Sequence, residues 1–315
     1  MVTHVIMDHA DSGAIGGGSI PGHAAPAFSL RRPVGTPLPV LIAAPHGGRV
    51  YPPSLTDSMR DPAWSALRLE DRYVDRIADA VAEATGAALI VAHAPRAMLD
   101  LNRATDDMDW SMVVGGAPNG ARNSIANRRA RSGLGLVPRR LPGHGEIWKG
   151  RLERAELEAR IDGIHAPYHA ALAATLADLR DRWGAALLLD LHSMPPLRPR
   201  TPGDKAAEFV VGDRFGASCN HRLVQHAFHW LERNGRVALH NRPYAGGYVL
   251  DRHAAPARGI HAIQLEVCRA SYLDARLAEP SARFSGVVRT VAGLVRSLAG
   301  EVAELGGSGL RLAAE

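Results

Sequence analysis

The feature that most constrains this 315-residue chain happens four times: a short, nearly pure apolar run stops abruptly at polar or ionisable residues. Residues 39–44 (PVLIAA) run into Pro45, His46, Gly47 and Gly48, and residues 87–92 (AALIVA) run into His93 and Arg96. Residues 185–189 (AALLL) lead to Asp190, His192 and Ser193, and residues 260–265 (IHAIQL) lead to Glu266. Such runs lack the alternation of a half-exposed strand, so each reads as a strand covered on both faces. Between them, Val74, Ile77, Ala78, Val81 and Ala82 keep helical spacing up to Gly86, which suits a helix end. Further helices are expected at about residues 151–183, 220–234 and 281–304.

Strands alternating with helices predict an α/β fold, a mixed and largely parallel β-sheet flanked by helices. Such sheets bind ligands outside the carboxyl ends of their strands, where the polar residues collect here. The 46% hydrophobic content is ample for a large core and argues against disorder of the whole chain. Residues 1–38, rich in Gly, Ala, Ser and Pro and without periodicity, read as a flexible N-terminal arm, and residues 39–315 as a single domain. Residues 115–145, rich in Gly, Pro and Arg, read as a basic loop that could act as a lid beside an anionic ligand.

Lys and Arg number 37 against 32 Asp and Glu, with no long basic block, a balance as compatible with a small anionic substrate as with nucleic acid. Two cysteines, Cys219 and Cys268, are too few for a disulfide framework or a Cys-based zinc cluster, and a reducing cytoplasm suits them. No segment has the roughly 18 consecutive apolar residues of a membrane span, and the start lacks a signal-peptide pattern. HExxH, CxxC and P-loop motifs are missing, and Gly16, Gly17 and Gly18 lack the flanking strand and spacing of a nucleotide fingerprint. The expected partner is a small anionic substrate, with neither nucleic acid nor membrane; the oligomeric state stays open.

His46 and His192, each just past an apolar strand, can converge on one metal, although either alone would read as a hydrogen-bonded core or loop histidine. Catalytic zinc usually takes three protein ligands, so a carboxylate should join them; Glu70, Asp71 and Asp75 are candidates, unless they merely favour the dipole of the following helix. Glu266, in an otherwise apolar strand, suits a general base with a raised pKa, or a structural pair with Arg269 or Arg252. Arg96, Asn102 and Arg103 supply guanidinium forks and an amide for a substrate carboxylate or a polarised carbonyl. Asp100 could orient Arg103 or cap a helix.

The ordered set of Pro45 to Gly48, Asp71, Leu99 to Arg103 (LDLNR), Asp190 to Ser193 (DLHS), Gly216 to Cys219 (GASC), Gly246 with Gly247, and Gln264 to Glu266 (QLE) resembles the N-formylglutamate amidohydrolase family. Pro167, Tyr168 and His169, after a charged helix, match it too, and the resemblance spans about residues 38–275. It implies a zinc-carboxypeptidase-like fold, similar also to aspartoacylases. The short His-x-x-Glu of those relatives is missing, since Arg49 stands where the Glu would be, so a later acid must replace it. By this likeness Asp71 becomes the third ligand beside His46 and His192, with Glu70 in reserve. Glu266 becomes the general base and Arg96, Asn102 and Arg103 the substrate-anchoring set, with Arg96 also the expected helper at the oxyanion. After Gly247 the sequence departs from the family's basic-aromatic-Gly turn, reading Tyr248 to Ala254 (YVLDRHA).

The activity so implied is hydrolysis of N-formyl-L-glutamate, or a similar N-acyl acidic amino acid, to formate and L-glutamate, as in histidine degradation. The cofactor is one Zn2+ per chain or another divalent metal. A related zinc hydrolase cutting a longer N-acyl or peptidoglycan-like amide is the alternative on the same scaffold. A non-catalytic anion-binding protein is the alternative of another class, but an anion binder has no need of Glu266 beside two histidines.

Overall fold

The computed structural model describes residues 13–35, 37–118, 128–199 and 203–312. Its strands are β1 (Ala14–Gly17), β2 (Phe28–Arg31), β3 (Val40–Ala44), β4 (Ala88–Ala92), β5 (Arg140–Leu141), β6 (Gly145–Glu146), β7 (Ala186–Met194), β8 (Phe209–Gly212), β9 (Ala238–His240) and β10 (Ile260–Cys268). Apart from the β5–β6 hairpin they form one eight-stranded sheet in the order β1-β2-β4-β3-β7-β10-β8-β9. The four apolar runs are its inner strands β4, β3, β7 and β10, all mutually parallel. Antiparallel β2 and β1 extend the β4 side, and antiparallel β8 with its parallel neighbour β9 extends the other. The sheet is therefore mixed and largely parallel, and its inner strands are apolar because helices cover both faces.

Those helices are α1 (Pro53–Ser58), α2 (Pro62–Leu69), α3 (Val74–Thr85), α4 (Arg128–Arg131), α5 (Arg154–Arg160), α6 (Ala166–Trp183), α7 (His221–Arg233), α8 (Tyr248–His253) and α9 (Phe284–Leu312). One face of the sheet packs Ile42, Leu189 and Leu265 against α3, α7 and α9, and the other packs Leu41, Leu188 and Ala262 against Tyr168, Leu172 and Leu176 of α6. Alternation along β7 and β10 then puts Asp190, His192, Gln264 and Glu266 on the α6 face, in phase with Leu188 and Ala262. The helix read from Val74 ends where expected, with Gly86 in the left-handed region at φ 77°. The long helical stretch before Gly184 is α5 and α6 joined by a single π turn, Ile161–His165.

Two expectations need correction. Residues 1–38 do not form a separate flexible arm where they are described: β1 and β2 belong to the main sheet, and Ile20, Ala27 and Phe28 are buried in its core. Residues 1–12 and Thr36 lie outside the described residues. Four-residue strands are too short to carry a readable period, yet β2 covers an edge of β4 that would otherwise stay unpaired. The basic stretch 115–145, of which 119–127 lie outside the described residues, is likewise not structureless. It holds α4 and the β5–β6 hairpin and buries Leu136, Val137 and Leu141. Among the described residues, no helix is long and apolar enough to cross a membrane.

Candidate functional site

The carboxyl ends of β3, β7 and β10 and the segment after β4 meet on the α6 side of the sheet. His46 lies two residues past β3, in a loop pressed onto the exit of β4: a Cβ on Gly48 would collide with the carbonyl of Ala94, and Val50 N–H donates to His93 O at 3.0 Å. Asp71 sits between α2 and α3, and its own N–H donates to His46 O at 3.0 Å, which ties the two residues together through the backbone. On the parallel pair β7 and β10, His192 stands in register with Glu266, and Asp190 with Gln264.

The ligating atoms of His46, Asp71 and His192 all lie within 4.8 Å of one another, and all three residues are buried. Each imidazole turns Nε2 outward to a carboxylate: His46 donates to Asp100 Oδ1 at 2.7 Å and His192 to Asp190 Oδ2 at 2.9 Å. Each turns Nδ1 inward to the same oxygen, Asp71 Oδ2, at 3.6 Å from His46 and 3.0 Å from His192. The His46 Nδ1 is buried without a hydrogen-bond partner among the described residues. A buried nitrogen left unpaired is costly, and one aimed at a carboxylate and a second imidazole is ready to ligate a cation. The outward carboxylates fix ring orientation, as such partners do around metal-binding histidines. The two nitrogens and one oxygen thus fit a divalent metal ion.

Burial pushes the Asp71 carboxyl up, but the hydrogen bond to His192 and the nearby His46 imidazole hold it well below the usual range. Burial pushes His192 down, but Asp190 and Asp71 hold it well above the ordinary value. Glu266 behaves oppositely to Asp71: burial raises it to about 7, with His192 and Arg96 opposing. Its Oε1 accepts from Gln264 Nε2 at 2.9 Å.

These groups line a cavity of about 240 Å³, and Arg68, Arg96, Arg103, Arg129 and Arg269 make it basic. Asn102 is buried, with Oδ1 accepting from Val249 N–H at 2.9 Å and Nδ2 donating to Gln264 Oε1 at 3.3 Å. Arg103 Nε donates to Leu134 O at 3.0 Å and Nη1 to Asn102 O at 2.6 Å. Arg96 Nε donates to Asp100 Oδ2 at 2.9 Å. All seven residues singled out from the sequence, His46, Asp71, Arg96, Asn102, Arg103, His192 and Glu266, line this one cavity.

The open alternatives resolve by geometry. Glu70 pairs with Arg72 at 3.0 Å, and Asp75 takes both ends of the Arg49 guanidinium at 2.8 and 2.6 Å, so neither joins the His46 cluster. Arg269 goes to Asp71, Glu70 O and Ser193, and Arg252 to Tyr248, rather than to Glu266. Asp100 holds His46, Arg96 and the N–H of Asn102 rather than capping a helix. Sequence reasoning missed Asp190 and Gln264 as partners of His192 and Glu266, although the period of two along each strand puts them on that face. It also missed Arg68, whose arrival from α2 left no local signal, whereas Arg129 comes from α4 in the basic stretch 115–145, which was read as lying beside an anionic ligand without any one residue being named.

Residues 38–273 match the model of the N-formylglutamate amidohydrolase family. The chain belongs to this family. It is 31% identical over 238 residues to the N-formylglutamate deformylase of Pseudomonas putida, covering 75% of this chain and 82% of that enzyme. The deformylase of Pseudomonas aeruginosa is 29% identical, covering 75% and 83%. The crystal structure of N-formylglutamate amidohydrolase from Ralstonia eutropha superposes with a TM-score of 0.77 at 31% identity, covering 90% of this chain and 99% of that one. The protein is thus a hydrolase of the N-formylglutamate deformylase family.

Proposed function

We propose that this chain is a metal-dependent amidohydrolase cleaving N-formyl-L-glutamate, or a similar N-acyl acidic amino acid, to formate and L-glutamate. The observation that carries the metal reading is the buried, partnerless Nδ1 of His46, grouped with His192 Nδ1 and Asp71 Oδ2 in the cavity that holds Glu266. Two nitrogens and a carboxylate oxygen suit zinc first among divalent ions, one per chain. When bound, such an ion supplies Lewis acidity, lowering the pKa of water from about 15.7 toward about 7 and withdrawing charge from the scissile carbonyl.

The remaining work falls to the chain's own residues. Glu266 takes a proton from the attacking water; Oε1 is held by Gln264, so Oε2 is the oxygen assigned to this task. It then passes the proton to the amide nitrogen as the C–N bond breaks, so that glutamate leaves as the amine and the formyl carbon as formate. Without that transfer the leaving group would be a poor amide anion. Arg96, steadied by Asp100, offers positive charge to the developing oxyanion. Arg103 and Asn102 anchor a substrate carboxylate, within a basic wall that favours a dianionic substrate. The reaction suits the end of a histidine-degradation route in the cytoplasm, and the free, buried Cys219 and Cys268 accord with a reducing compartment.

One observation favours hydrolysis of a longer N-acyl amide as a second reading. A neighbouring cavity of about 580 Å³ shares Asn102, Arg103, Arg129, Gly246 and Gly247 with the first and could take a larger group. Elemental analysis of the purified protein, coupled to product release from formyl, acetyl and peptidyl amides of glutamate, tests both. About one metal per chain and formate release that chelation abolishes and zinc restores are expected. Full activity of metal-free protein would overturn the metal reading, and preference for a longer acyl group would overturn the formyl one.

A further inference from the structure

The Pro167, Tyr168 and His169 motif takes no part in the chemistry above, yet His169 is wholly buried directly behind the anchoring segment. Its Nε2 lies 3.0 Å from Leu101 O, and a carbonyl only accepts, so Nε2 carries the proton and Nδ1 is left as an acceptor. His253 Nε2, 2.9 Å from that Nδ1, must then be the donor. His165, the last residue of the π turn, donates from Nε2 to Arg103 O at 2.9 Å. Two imidazoles therefore hold the carbonyls of residues 101 and 103, immediately before and at the end of the Asn102–Arg103 pair.

The arrangement closes on itself. Asn102 Oδ1 receives the N–H of Val249 at the start of α8, and α8 ends at His253, which returns through His169 to Leu101. Tyr248 closes the cluster, with its ring centroid 5.6 Å from His165 and 5.2 Å from His169. A π turn is a rare insertion, and such turns recur at functional sites. Here it delivers His165 to a carbonyl of the substrate-facing segment. Apolar side chains would fill the same volume but would leave the buried carbonyl of Leu101 and the half-buried one of Arg103 without these donors.

We infer that His165, His169 and His253 are positioning residues that clamp the backbone around Asn102 and so hold Asn102 and Arg103 in register for the substrate carboxylate. The inference rests on the anchoring role proposed above for those two residues. Burial keeps His169 and His253 neutral, at about 2 and about 4, as the deduced tautomers require.

The test is steady-state kinetics on the holoenzyme, with hydrogen exchange by mass spectrometry over residues 99–104. His169→Ala should raise KM for N-formylglutamate about five- to tenfold, the worth of one lost buried hydrogen bond, with kcat within about threefold. Exchange over 99–104 should quicken while that of α6 does not. His169→Gln, which can still donate to Leu101 O, should restore both. Because His169 is wholly buried, His165→Ala is measured beside it and should raise KM in the same sense if His169→Ala does not fold. Arg103→Lys reports separately on the anchoring role, since it keeps the charge and loses the fork. If Arg103→Lys raises KM while both histidine variants leave it unchanged, or lower only kcat through lost folded protein, the clamp is overturned and the anchoring role stands. If the histidine variants raise KM and Arg103→Lys does not, the clamp stands through Asn102 and the role of Arg103 falls.

Discussion

Two histidine clusters lie on the same side of the sheet, equally buried, and they are opposites. His46 and His192 are enclosed by the carboxylates Asp71, Asp100 and Asp190, and His192 is driven well above its ordinary pKa against the pull of burial. Among the described residues, His165, His169 and His253 have no carboxylate as a hydrogen-bond partner. Burial drives His169 down to about 2 and His253 to about 4, with neighbouring imidazoles and Arg252 adding to the effect. Each imidazole of the second cluster has a hydrogen-bond partner, whereas the first keeps a buried nitrogen, His46 Nδ1, without one among the described residues. The difference teaches that burial alone does not set what a histidine does. The partners decide: carboxylates around the rings leave room for a cation, and carbonyl and imidazole partners make a brace.

The most direct way to break this comparison is to remove the acid that both inward nitrogens share. Asp71→Ala should lose bound metal and bring activity to background, and Glu70→Ala should keep the metal; elemental analysis of both decides, and the reverse result would move the third ligand to Glu70. Next in size is Glu266→Gln, which should retain metal and substrate affinity while turnover falls by at least the roughly 10²-fold that acid–base catalysis supplies. Equal loss of metal and activity there would make Glu266 a ligand instead. Asp100→Asn and Asp190→Asn should weaken metal affinity by about 10- to 100-fold, measured by competition with a chelator, because each carboxylate orients one of the histidines proposed to hold the metal. Unchanged affinity would reduce them to packing.

The smallest effect sharpens the other half. His169 and His253 stay neutral in the folded protein and become charged in the unfolded chain near pH 6.5, so below that pH the unfolded state binds more protons and stability falls. The sign is opposite to that of a histidine held charged by a carboxylate. Between pH 6.5 and 5 the loss should be about 2 kcal/mol per histidine, read as the pH dependence of urea unfolding. His169→Gln removes one titrating group, so its stability should fall less steeply over the same interval. An identical slope would mean that His169 is not the neutral group inferred here.

Much of the fold was legible because it depends on local pattern. The four inner strands are apolar on both faces and stop at ionisable residues, so their position, and the end of the sheet at which chemistry collects, follow from the chain itself. The outer strands β1, β2 and β9 were not legible, since strands of three or four residues gain their stability from pairing rather than from a hydrophobic period. The same division runs through the site. His46, His192 and Glu266 announce themselves as polar residues at the ends of apolar runs, and the likeness to a family pointed to Asp71.

What the sequence could not decide was which partner each of these groups would take. Glu70 and Asp71 are adjacent in the chain, and only the packing of the α2–α3 corner against β3 sends Asp71 to the histidines and Glu70 to Arg72. Asp100, legible only as a cap or a partner of Arg103, becomes the outer support of His46 because the segment after β4 folds back across the carboxyl end of β3. His165, His169 and His253 come from the π turn, α6 and α8, up to 88 positions apart in the numbering, and meet the backbone of the LDLNR segment only in the folded chain. Periodicity fixes which face a residue occupies, because it follows from the geometry of one strand or helix. The protonation state and the partner of a buried group depend on charges and carbonyls brought in from distant segments, and these exist as neighbours only once the tertiary structure has formed.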